Sequence, residues 1–278
     1  MNKYSKKDIK AIFLDMDGTI LDGMGQISPE LKLSIQKITD RGILVHLASG
    51  RSYESMSSFY NQLNLKSALI AYNGAQLIDF EGNVIKKQKL LNPILVKDAE
   101  DIAKKKDIFL QFYIDNKPYY IGDEEIAKEY QIKSGNRSFK LEELQDYYNS
   151  CTKGMFLVSE NDCDNSELIK CYRELSSSKV WNELASIFFS SVGTLEFLNS
   201  GTSKGDMISY VLELLDISHE NTMAIGDGLN DKQMICNAGV GVAMGNALPE
   251  LKSMADIIIE NNTENGVSKF LNNFFGLI

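Results

Sequence analysis

The sequence predicts an α/β fold, a doubly wound parallel sheet interrupted by an inserted α+β domain, and three observations carry that prediction. Short apolar runs alternate with amphipathic stretches at both ends of the chain. Each run stops at a polar residue, Asp15, Ser49, Asn73 or Asp227, and open parallel sheets bind their ligands beyond such carboxyl ends. Between 84 and 198 the texture changes: 15 of the 26 aromatic residues lie there, among short strand-like runs.

The first element is the apolar run 11–14, which reads as a strand buried on both faces and ends at Asp15. A helix follows, with Ser28 as N-cap, Pro29 at the first helical position and Leu31, Ile35 and Ile38 at helical spacing until Gly42. Residues 43–48 and 68–72 read as the next two strands, stopping at Ser49-Gly50-Arg51 and at an Asn73-Gly74 turn. Near the C-terminus, Ser203 to Asp206 has the capping-box pattern, ahead of a helix with Ile208, Val211, Leu212 and Leu215 on one face. Residues 222–225, 240–244 and 257–259 read as further strands. Within the insertion, 108–114 and 119–121 suggest strands, 93–105 and 166–175 helices, and 186–199 a hairpin turning near Gly193. The expected organisation is a core of 1–83 and 199–278 with an inserted domain over 84–198.

With 44% hydrophobic and 24% charged residues, the chain can bury a sizeable core. Its apolar runs fall far short of the roughly 20 residues that span a bilayer, so no membrane helix is expected. The basic N-terminus meets Asp15 before any long apolar segment, which reads as cytoplasmic. Cys151, Cys163, Cys171 and Cys236 show no CxxC spacing and read as reduced thiols, not zinc ligands. The net charge of −9 offers no general attraction for nucleic acid or anionic membranes. His46, inside an apolar strand, reads as a core histidine, and Asn246, just before Pro249 and Glu250, as a helix cap.

The chemistry lies at the strand ends. Asp15 and Asp17 sit two residues apart, with Gly18 letting the chain turn away, and Asp227 and Asp231 form a second acidic pair after another strand. Carboxylates held this close raise one another's pKa unless a cation neutralises them. An oxygen-only ligand set suits Mg²⁺, which keeps waters and accepts a phosphate oxygen. Lys204 sits at the start of a helix, where its charge opposes the dipole and so needs another reason, such as an anionic ligand. The Ser49 hydroxyl and the open backbone at Gly50 and Gly18 complete a set of groups suited to phosphoryl oxygens.

These residues resemble the four motifs of the haloacid dehalogenase superfamily, specifically its Cof-type phosphatases with a large α+β cap of class IIB. Asp15-Met16-Asp17-Gly18-Thr19 matches the first, Ser49-Gly50-Arg51 the second, Lys204 in Ser-Lys-Gly the third, and Gly226-Asp227-Gly228-Leu229-Asn230-Asp231 the fourth. The stretch from Gly241 through Met244-Gly245-Asn246-Ala247 to Asp256 also resembles the family's C-terminal pattern, so both flanks match and the insertion matches by position and texture alone. The resemblance implies a Rossmann-like core and a phosphatase in which Asp15 is the nucleophile and Asp17 the general acid and base. It implies Mg²⁺ held by Asp15, Asp227 and the Asp17 carbonyl, with Asp231 a further ligand or an anchor for the others. Ser49 and Lys204 would hold phosphoryl oxygens, and Gly18, Thr19, Gly50, Arg51, Asn73 and Asn230 would line the place of a small phosphorylated substrate. The cap would select the leaving group.

Two departures stand out. Ser49 replaces the family's frequent threonine but keeps the hydroxyl, and the proline common before Lys-Gly is missing from Asn199-Ser200-Gly201-Thr202-Ser203. Two other functions share this scaffold, a phosphosugar mutase and a phosphorylatable regulator without turnover. The regulator would need neither Asp17 nor a domain-sized insertion.

Overall fold

The structure, a computed structural model, describes residues 8–87, 89–135, 137–159, 166–191 and 193–277. The basic start of the chain and Cys163 lie outside the described residues. The chain divides into two compact units, Met1–Lys87 with Ser203–Ile278, and Gln88–Thr202.

The first unit opens with β1 (Ala11–Leu14), buried throughout. Helix α1 (Pro29–Thr39) starts as its sequence dictates, with the Ser28 side chain accepting from the Leu31 N–H and Leu31, Ile35 and Ile38 buried. It ends at Asp40, two residues before the expected Gly42. Strand β2 (Leu44–Leu47) pairs in parallel with β1, with Leu47 opposite Leu14. Its His46 ring stacks on Phe13 at 4.8 Å between centroids, and Nδ1 donates to the Ala68 carbonyl at 2.7 Å. Burial lowers the His46 pKa to about 4, so it is the core histidine its setting suggested.

Helix α2 (Tyr53–Gln62) leads to β3 (Leu69–Ala71), joined to the parallel sheet by the Ala48–Ile70 bridge. Here the chain departs from the simple strand-helix alternation. Strands β4 (Gln76–Ile78) and β5 (Val84–Lys87) fold back on β3 as an antiparallel sheet. That pairing draws 84–87 into the first unit, four residues beyond the junction read from the sequence.

In the second unit, helix α3 (Pro93–Lys106) precedes β6 (Phe109–Ile114) and β7 (Lys117–Ile121). Helix α4 (Glu124–Ser134), β8 (Phe139–Lys140) and β9 (Cys151–Leu157) come next. Helices α5 (Ser166–Ser177) and α6 (Lys179–Leu184) lead into the hairpin of β10 (Ala185–Ser191) and β11 (Thr194–Asn199). The six strands form one sheet in the order β10-β11-β9-β6-β7-β8. Leu110, Phe112, Phe156 and Phe197 on one sheet face pack with Leu95, Ala99, Leu168 and Trp181 of the helices. Gly154 makes that packing possible, because a Cβ there would lie 2.2 Å from Phe197 Cζ. Cys151 and Cys171 are buried free thiols whose pKa values burial raises to about 12 and about 11.

The chain then rejoins the first unit at α7 (Lys204–Leu215), where Ser203 Oγ accepts the Asp206 N–H at 3.0 Å. The buried face carries Met207, Ile208, Val211 and Leu212, while the expected Leu215 is exposed. Strand β12 (Thr222–Gly226), helix α8 (Lys232–Asn237), strand β13 (Val240–Ala243), helix α9 (Pro249–Met254), strand β14 (Ile257–Ile258) and helix α10 (Gly266–Phe275) complete the unit. Its parallel sheet runs β14-β13-β12-β1-β2. From β1 the chain builds outward to β2, then returns on the other side through β12, β13 and β14. The topological switch point therefore falls between β1 and β12. No helix among the described residues is long and apolar enough to cross a membrane.

Candidate active site

Asp15 follows β1 directly, and its backbone N–H still donates to Ile225 O of β12 at 3.0 Å, so the two strand ends stay in register. The chain then makes one turn over Met16–Ile20, in which Gly18 adopts φ 77. A Cβ at Gly18 would lie 2.2 Å from Asp227 Oδ2, so only glycine lets the Asp15 turn reach the loop after β12. That loop is folded by Asp231, whose Oδ2 accepts the N–H groups of Asp227 and Gly228, both at 3.0 Å.

Carboxylate oxygens of Asp15, Asp227 and Asp231 lie within 4.8 Å of one another. Lys204, fully buried, donates from Nζ to Asp15 Oδ1 at 2.5 Å and to Asp231 Oδ1 at 2.6 Å. Its place is fixed without the missing proline. Ser203 caps the helix, and Gly74 (φ 99) packs so tightly on Ser203 O that a Cβ there would come within 2.0 Å of it. Burial alone would lower the Lys204 pKa, but Asp15 and Asp231 more than reverse that and raise it.

One ammonium against three carboxylates leaves the cluster short of positive charge. Desolvation, then repulsion from Asp231, raises Asp227 to about 7, against the pull of Lys204 and the Thr19 hydrogen bond. Desolvation and repulsion from Asp231 likewise hold Asp15 well above its usual range. A largely buried, oxygen-only donor set with this deficit fits a hard divalent cation.

The remaining sequence candidates form two smaller groups. Arg51 grips Asp17 as a fork, Nε to Oδ2 at 2.8 Å and Nη2 to Oδ1 at 2.7 Å, and its guanidinium lies 5.5 Å from the Phe59 ring centroid. Ser49 is buried, with its Oγ accepting the Arg51 N–H at 3.2 Å and its carbonyl accepting the Asn73 N–H at 2.9 Å. Asn73 Oδ1 in turn accepts from Asn230 Nδ2 at 2.9 Å. Tyr72, Asn73 and Gly74 all have positive φ (50, 54 and 99), a costly run for a tyrosine, and it aims the buried Asn73 at Gly50.

Two residues are placed otherwise than expected. Thr19, read as lining the substrate, is buried, and its Oγ1 donates to Asp227 Oδ1 at 3.3 Å. Asn246 is not a helix cap, since α9 is preceded by Leu248. Its Nδ2 donates instead to Gly18 O at 2.8 Å and to Asp227 Oδ2 at 3.3 Å. No local pattern signals this, because Gly18 and Asn246 stand 228 positions apart. The Arg51–Asp17 fork, across 34 positions, likewise leaves no local mark in the sequence.

The fold and site thus define an α/β enzyme with acidic residues converging at a switch point. The chain belongs to the haloacid dehalogenase-like hydrolases, whose family model matches residues 12–271, and with its curated relatives named as phosphatases it is a phosphatase of that family. It is 31% identical over 262 residues to a 5-amino-6-(5-phospho-D-ribitylamino)uracil phosphatase of Bacillus subtilis, covering 94% of each chain. A further Bacillus subtilis phosphatase is 27% identical, covering 95% of this chain and 99% of that one. Among solved structures, a haloacid dehalogenase-like hydrolase from Bacteroides thetaiotaomicron superposes with a TM-score of 0.81 at 27% identity, covering 96% of this chain and all of that one. A subclass IIB sugar phosphatase shares the fold at a TM-score of 0.81 and 24% identity, covering 97% of this chain.

Proposed function

We propose that this phosphatase is a Mg²⁺-dependent phosphomonoesterase that hydrolyses a small phosphorylated metabolite, a sugar phosphate or a similar ester, through an aspartyl-phosphate. The observation that carries the reading is Asp15 at the switch point, held by buried Lys204 and flanked by Asp227. Asp15, Asp227 and the Asp17 carbonyl would hold the ion, which supplies charge neutralisation between the carboxylates and the phosphoryl oxygens. Asp231, with one oxygen on two backbone N–H groups and the other on Lys204, serves as the anchor of this set.

Asp15 attacks phosphorus with a carboxylate oxygen, the bond to the leaving oxygen breaks, and Asp17 supplies the proton that oxygen takes up. Water then attacks the phosphorus of the acyl phosphate, Asp17 takes its proton, and Asp15 returns as carboxylate with release of inorganic phosphate. Lys204 and Ser49 bind phosphoryl oxygens as charge shifts onto them. Asp17 can serve only when one of its oxygens leaves the Arg51 fork, so arrival of an anion that draws Arg51 away would prime the acid. Gly18, Gly50, Asn73 and Asn230 complete the loop ends around the phosphate, and selection of the leaving group is proposed for the second unit, residues 88–202.

The test is a panel of phosphorylated metabolites with Mg²⁺, read as phosphate release and including the ribityl phosphate ester named for the Bacillus subtilis relative. Turnover of at least one small ester, abolished in Asp15→Asn, is expected. An Asp15→Asn protein as active as wild type would refute the mechanism.

A further inference from the structure

The two oxygens of Asp227 are each steered by an uncharged donor from a different segment, Thr19 Oγ1 on Oδ1 and Asn246 Nδ2 on Oδ2, both at 3.3 Å. The amide of Asn246 does more than this. Its Nδ2 also donates to Gly18 O at 2.8 Å, and its Oδ1 accepts the Asn262 N–H at 3.1 Å. Asn262 Nδ2 in turn donates to Leu21 O at 2.8 Å. One exposed side chain after β13 therefore spans the turn after β1, the carboxylate after β12 and the loop before α10.

The span crosses the tightest approach of the site, where Gly18 packs directly on the Asp227 carboxylate. A planar amide whose oxygen is pinned by a backbone N–H presents its Nδ2 in a fixed direction. Two donors on opposite oxygens then fix the plane of the Asp227 carboxylate relative to the Asp15–Asp17 turn. Two ligands from separate strands meet one ion more tightly when that relative orientation is preset, because each ligand free to rotate must be ordered on binding.

We propose that Asn246 is a positioning residue for the divalent cation, setting the Asp227 carboxylate for its share of the ion. The inference rests on the assignment of Asp15 and Asp227 as metal ligands. It concerns affinity and not chemistry, since Asn246 makes its contacts with Asp227 and Gly18 and has none with Asp15 or Lys204 among the hydrogen bonds described.

The experiment is calorimetric titration of Mg²⁺ into the metal-free full-length chain for wild type, Asn246→Ala and Asn262→Ala, with melting in chelator and phosphate release across Mg²⁺ concentrations. For Asn246→Ala the Mg²⁺ dissociation constant should rise by about 10- to 100-fold, the loss typical of groups that orient metal ligands. Melting in chelator should remain one cooperative transition, and the loss of phosphate release should be largest at low Mg²⁺ and shrink as Mg²⁺ approaches saturation. Asn262→Ala keeps the backbone N–H that pins the amide and should bind Mg²⁺ as wild type does. An unchanged dissociation constant in Asn246→Ala overturns the proposal, and so does an equal rise in Asn262→Ala, which would mean general loosening. A wild-type chain that binds no Mg²⁺ would strike instead at the ligand assignment.

Discussion

Gly18 shows how much of the site hangs on one atom that is absent. At φ 77, with Asp227 Oδ2 where a Cβ would stand, Gly18→Ala must push the Asp15 turn away from the loop after β12. Displacing reacting groups by even about 1 Å can cost on the order of 10²-fold in rate, and that fall in kcat/KM is the expected result. Activity equal to wild type would show that the turn yields without cost. His46 carries a different consequence. Its pKa is about 4 in the fold against the ordinary 6.5 of a solvated imidazole, so between these values the unfolded chain binds more protons. Stability from this group is complete above pH 6.5 and is lost as pH falls toward 4, by on the order of 3 kcal/mol in full. Urea unfolding at neutral and mildly acid pH should show this fall in wild type and a smaller one in His46→Phe, which keeps a ring against Phe13. Equal slopes for the two proteins would remove His46 as the cause.

Among the elements, β9 is the least legible in the sequence, although it sits in the middle of the second unit's sheet. Its sequence Cys-Thr-Lys-Gly-Met-Phe-Leu has an interior glycine and a lysine, neither of which favours a strand. Both are explained by neighbours across the sheet. Gly154 leaves room for the Phe112 and Phe197 rings, which meet edge to face at 5.8 Å, and Lys153 pairs with buried Glu196 at 3.0 Å. Gly154→Ala should therefore destabilise by about 1 to 3 kcal/mol through overpacking, measured by denaturant unfolding. A neutral outcome would mean that the two rings shift freely. By contrast, α1 and α7 were legible to the residue at their starts, because Ser28 and Ser203 act on N–H groups only three positions ahead.

At the scale of the whole molecule, the chain leaves the first unit for more than a hundred residues and returns to finish the same site. Lys204 reaches Asp15 across 189 positions, and Thr19 reaches Asp227 across 208. Against a net charge of −9, the switch point concentrates three carboxylates around one ammonium. A cation that binds only this assembled cluster stabilises the fold by mass action, about 2.7 kcal/mol at a hundred times its dissociation constant. Mg²⁺ should therefore raise the melting temperature and chelator should reverse the rise. The gain should grow as pH rises toward neutrality and then level off, because burial and repulsion from Asp231 raise the Asp227 pKa to about 7 and the ion must displace that proton below it. A melting temperature indifferent to Mg²⁺ at every pH would contradict the clustered metal site.

The sequence by itself determined the parallel core, the order of its strand ends and the identity of the acids and the lysine, since each is announced by residues within one strand or one turn. It also announced the insertion, through the concentration of aromatic residues. What it left open was decided by tertiary structure: the antiparallel return of β4 and β5, the Arg51 fork on Asp17, the turning of Thr19 toward Asp227, and the bridging amide of Asn246. Capping and hydrophobic periodicity act over a few residues and leave their mark on the local sequence. A hydrogen bond between residues two hundred positions apart depends on where the sheet brings the backbone, and short polar side chains such as Thr and Asn look the same whether they face solvent, a substrate or a carboxylate.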